Sequence, residues 1–95
     1  MRRQATSDQG GPTADANVSV TLSNLAGVYV ALGQPNRAEA SYLRAIGIIE
    51  SSQGSHGEDL ISPLNNLASF YMEIGRLPDA ERLLSQARDL VALAR

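Results

Sequence analysis

The chain has 95 residues, a net charge of −2 and no cysteine. That length limits it to one domain, and the charge leaves no basic stripe of the kind that displaces counterions from nucleic acid. Without thiols there are no disulfides, thiolate nucleophiles or thiolate zinc sites, which fits a reducing, cytoplasmic setting.

Apolar residues make up 43%, but there are only three Tyr, one Phe and no Trp. The core therefore rests on Leu, Ile, Val and Ala, a set that favours close-packed helices. Met1-Arg2-Arg3 has the basic start of a secretory leader, yet residues 4–17 are polar and no apolar stretch follows. No run reaches the roughly 18 apolar residues of a membrane span. Arg37, Arg44, Arg82 and Arg88 alternate with acidic residues, the pattern of a solvated surface.

In chain order, residues 1–17 are small or polar and are broken by Gly10, Gly11 and Pro12, so a flexible N-terminal arm is expected there. Residues 18–95 are expected to form one all-α domain. Its first stripe is Leu22, Leu25, Ala26, Tyr29 and Leu32, the spacing of one helix face. Gly33 to Asn36 form a break in which Gly33 can close one helix and Pro35 or Asn36 open the next. The second stripe is Ala38, Tyr42, Ala45, Ile46 and Ile49, fading into a polar connection from Ser51 to Gly57. The third runs through Leu60, Ile61, Leu64, Leu67, Ala68, Tyr71 and Ile74, with Pro63 near its start. Gly75 to Asp79 break the pattern again. The fourth is Ala80, Leu83, Leu84, Ala87, Leu90, Val91 and Ala94. Four antiparallel helices in two hairpins follow.

Displaced by 42 residues, the chain matches itself: Leu22 falls on Leu64, Asn24 on Asn66, Leu25 on Leu67, Ala26 on Ala68 and Tyr29 on Tyr71. Gly33 falls on Gly75, Ala38 on Ala80, Glu39 on Glu81 and Ala45 on Ala87. Such a period marks stacked supersecondary units, here about 19–52 and about 60–95. The spacing Leu22-x-x-Leu25-Ala26-x-x-Tyr29, then Ala38-x-x-x-Tyr42 and Ala45, resembles the tetratricopeptide repeat, and so does its second copy. The alanines suit tight helix crossings, where larger side chains would push the helices apart. The long period, the Gly54-Ser55-His56 linker with Asp59, and Leu64-Asn65-Asn66-Leu67-Ala68 resemble the kinesin-light-chain subclass. Gly57 after His56, in place of that subclass's usual Pro, is a departure, as is a linker one residue longer. The resemblance implies an α-α superhelix of right-handed twist.

It also implies a groove for a peptide or helix along the first helix of each hairpin. The first unit offers Ser23, Asn24, Gly27 and Val30 to that groove; the second offers Asn65, Asn66, Ser69, Met72 and Glu73. An Asn there can donate to and accept from a peptide backbone; equally, Asn24 and Asn66 suit a solvated face. The groove offers no cation to clamp a C-terminal carboxylate. No chemistry is visible: Glu58 with Asp59 and Glu39 with Glu50 read as solvated charges or caps, and His56 lacks a second ligand. No catalytic, cofactor or metal site is expected, and no nucleic acid or membrane among its partners. The expectation is a non-catalytic interaction module or scaffold.

In the last stripe, Leu83, Leu84, Leu90, Val91 and Leu93 span more than one hairpin partner covers. Two repeats also fall short of the roughly three that repeat arrays need. That face is expected to be covered by a second copy, giving a homo-oligomer, or by another protein. The alternatives are further repeats of a longer array, or attachment as a regulatory fragment to a multidomain protein.

Overall fold

The structure is a computed structural model that describes residues 11–54 and 57–93. Its elements are α1 (Gly11–Ala31), α2 (Pro35–Gln53), a 3-10 turn (Glu58–Leu60), α3 (Ile61–Glu73) and α4 (Leu77–Leu93), with no strand among the described residues. α1 pairs with α2 and α3 with α4, while α3 also lies against both α1 and α2. The Cα envelope measures 48 × 37 × 14 Å, a slab two helices thick.

The boundaries differ from those read off the pattern in two places. α1 is helical from the first described residue, Gly11, so residues 11–17 of the expected arm are helical; residues 1–10 of the arm lie outside the described residues. Within that stretch Ala16 packs on the core. α2 continues through Ser51, Ser52 and Gln53, residues expected in the connection. The Ser52 hydroxyl donates to the Ile49 carbonyl (3.3 Å), and Gly54 at φ +78° ends the helix by donating to the Glu50 carbonyl (2.8 Å). Ser55 and His56 of the linker lie outside the described residues. Pro63 falls in the first turn of α3, directly after the 3-10 turn, among amides that lack helical acceptors anyway.

Both hairpins turn in the same way. Gly33 (φ +73°) donates to the Val30 carbonyl and Gln34 to that of Tyr29, at 3.0 and 2.8 Å. Gly75 (φ +81°) and Arg76 repeat this with Met72 and Tyr71, at 3.2 and 2.8 Å. This is the paired bonding of a left-handed helix stop, a conformation glycine adopts without a Cβ penalty.

The six repeat alanines, Ala26, Ala38, Ala45, Ala68, Ala80 and Ala87, are all buried. Around them the core gathers Ile49, Leu60, Leu64 and Leu67 with Tyr42, Phe70 and Tyr71. The Tyr42 and Phe70 rings meet across the hairpins at 5.6 Å, tilted by 39°. Beside them the Tyr71 hydroxyl donates to Glu39 Oε2 (2.6 Å), and Arg76 Nη1 donates to the same oxygen (2.9 Å). Arg76 lies over the Tyr71 ring at 4.3 Å, and its Nε donates to Asp79 (2.8 Å), which also pairs with Arg82. Glu39 is thus an inter-hairpin tie, not the solvated charge or cap expected.

The tie is visible in proton affinities. The Tyr71 hydrogen bond, with help from Arg76 and against the effect of burial, holds the Glu39 carboxyl below its ordinary value. Burial, and then the bond to Glu39, push Tyr71 up to about 12. The Arg76 hydrogen bond lowers Asp79.

Candidate functional site

Where α1 passes the start of α3, a cleft of about 590 Å³ opens. Ser19, Ser23 and Asn24 wall one side, and Ser62, Asn65 and Asn66 the other, with Ile49 of α2 also lining it. Glu58 and Asp59 add an acidic rim, where Asp59 accepts a 2.7 Å bond from Gln53. Among the described residues, no Lys or Arg lines the cleft.

Of the residues expected in a groove, Asn24, Asn65 and Asn66 line this cleft and are exposed. Ser23 lines it too but is buried, whereas its repeat counterpart Asn65 stays open. Gly27 and Ser69 are exposed one turn further along, and a Cβ added at Gly27 would meet nothing within 4 Å. Val30 packs partly against the core. Glu73 is exposed, and Met72 lines a different hollow. Ser19, Ser62, Glu58 and Asp59 were missed by sequence reading. Ser19 carried a usable signal, standing one turn before Ser23 on the same face.

The set expected for self-association divides. Leu90 is buried in the core and Leu83 packs on it, so neither belongs to an open face. Leu84, Val91 and Leu93 are exposed. Beside Leu84, a hollow of about 390 Å³ is lined by Met72, Leu77, Ala80, Glu81, Ser85 and Arg88. A second open face, on α1, was not anticipated: Val18, Leu25, Val28 and Leu32 are exposed there.

Repeat counterparts show why both faces stand open. Leu25 is 39% exposed and Leu67 1%. Leu84 is 40% exposed where Tyr42 is 8%, and Val91 42% where Ile49 is 0%. α3 is seated on α2; among the described residues no helix is seated on the open face of α4 or on that of α1.

Among the described residues, no group of three or more His, Cys, Asp or Glu could hold a metal ion, and no helix is long and apolar enough to cross a membrane.

Among the described residues, four helices in two stacked hairpins, with alanines at the crossings and a cleft between the first helices, define a helical-repeat interaction fold. A family profile described as tetratricopeptide repeat matches residues 17–92, and the chain belongs to that family. Its repeats generally mediate protein–protein interaction and are typically non-catalytic. The match is compatible with the 42-residue subclass without singling it out. Neither curated proteins nor solved structures yield a match.

Proposed function

We propose that this chain is a non-catalytic scaffold that takes an extended peptide, or one face of a short helix, in the cleft between α1 and α3. The observation that carries this reading is the placement of Asn24 and Asn66. They occupy the same position in the two repeats, both are exposed, and both line one cleft. Two amides facing one channel can each donate to and accept from a peptide backbone. The rim of Glu58 and Asp59, with no cation beside it, favours a segment carrying Lys or Arg over one offering a free carboxylate.

The test starts from a random peptide library selected on the wild-type chain. The enriched peptide is then measured by fluorescence anisotropy on the wild type and on Asn24→Ala/Asn66→Ala. Two lost hydrogen bonds at about 0.5–1.5 kcal/mol each weaken binding roughly 5- to 100-fold, with the thermal midpoint unchanged because both residues are exposed. Equal affinity on the double variant removes the asparagines from the site.

A further inference from the structure

We infer that the chain stacks head to tail on a second copy of itself, α1 of one copy seating on α4 of the next in the register that α3 takes on α2 within one chain. The internal contact supplies the template. In it, Phe70 meets Tyr42 and the Tyr71 hydroxyl binds Glu39. Displacement by 42 residues turns that second pair into Tyr29 and Glu81. Both residue types are kept: Tyr29 is half-buried on α1 next to the exposed Val28, and Glu81 is exposed on α4. Each end of the molecule thus carries one half of a lock whose assembled form is seen between the hairpins.

The surfaces agree with this. The hollow beside Glu81 has Leu84 where the first hairpin has Tyr42, whose ring meets Phe70 of α3. On α1, Leu25 and Val28 stand where Leu67 and Phe70 fill the internal contact. Three changes weaken the outer version. Val28 is smaller than Phe70, Gln34 offers Glu81 a neutral donor in place of the Arg76 guanidinium, and Arg88 replaces Ile46. The contact is therefore looser than its template and depends on concentration. An isologous dimer, α4 on α4, would leave Tyr29 outside the interface. Stacking leaves the peptide cleft free, since Asn66 stays exposed although α3 is stacked on the first hairpin. The inference does not rest on the peptide-binding reading.

A head-to-tail contact joins two different surfaces, so it propagates. Sedimentation velocity on the 95-residue chain, from about 10 to about 500 μM, is expected to show a mass rising continuously past the dimer. Leu25→Glu blocks one face and Leu84→Glu the other. Each variant alone stays monomeric, and an equal mixture gives a 1:1 dimer and nothing larger. Circular dichroism checks that both variants fold. Tyr29→Phe and Glu81→Gln, milder changes that remove one polar group each, each weaken association about three- to tenfold, and together no more than either alone. A wild type that stays monomeric throughout the range overturns the inference. So does a Leu25→Glu chain that still dimerises, which would indicate pairing through α4 alone. A mixture of the two blocked variants that fails to pair, with both folded, overturns it as well.

Discussion

In the second hairpin, Leu60, Leu64 and Leu67 are sealed against the first. In the first hairpin their counterparts fare differently: Val18 and Leu25 face solvent and Leu22 is half-buried. The reverse holds for the second helices, where Tyr42, Ile46 and Ile49 of α2 are covered while Leu84 and Val91 of α4 are open. The same residue types in the same local structure thus contribute unequally. Stability in such a chain belongs to the contact between units more than to either unit. Each open face lies on the side of a hairpin on which, among the described residues, no second hairpin is seated.

The largest effect should come from overfilling the close crossings. Ala26→Trp and Ala68→Trp each place a bulky ring where the alanine is fully buried, and each should unfold the chain, by more than about 3 kcal/mol. A native thermal transition in either would count against the hairpin packing. Next comes the direct contrast. Leu67→Ala removes a buried side chain and should cost about 2–5 kcal/mol in urea titration. Leu25→Ala at its exposed counterpart should cost less than about 1 kcal/mol in dilute solution. Equal costs would break the comparison.

Smaller still is the inter-hairpin tie. Tyr71→Phe should lose about 1.5 kcal/mol, because Arg76 continues to bind Glu39. The Tyr71 proton is held more tightly folded than unfolded, so its contribution is present below about pH 10 and is lost as pH rises towards about 12. The variant should lose that part of the alkaline fall, leaving the share of Tyr42, which burial also raises. Glu39 has the opposite sign. Its contribution is present above the ordinary carboxylate value and disappears as pH falls through its lowered one. Glu39→Gln should therefore flatten the acid limb, and an unchanged limb would assign acid lability elsewhere. The one predicted gain lies in α1. Gly27→Ala adds a methyl in open space on a helix and should stabilise by about 1 kcal/mol.

Much of this was legible from residue order. The four helices, the glycine stops at Gly33 and Gly75, and the alanines at the crossings follow from spacing and local conformational preference, which depend on residues a few positions apart. The asparagine pair was legible for the same reason, because a repeat puts equal positions on equal faces. Less legible were the helical stretch 11–17, where Ala16 packs on the core, and the helix end at Gln53, where a single capping glycine outweighs weak propensities.

The sequence alone determined that there are two like hairpins and which residues turn inward within each. Only the tertiary structure decided which copy of a repeated side chain is covered: Leu67 and not Leu25, Ile49 and not Val91, Ser23 and not Asn65. Helical periodicity is set by nearest neighbours along the chain and is the same in both copies. Burial is set by whichever helix arrives from some forty residues away, and among the described residues such a helix is seated on only one side of each hairpin.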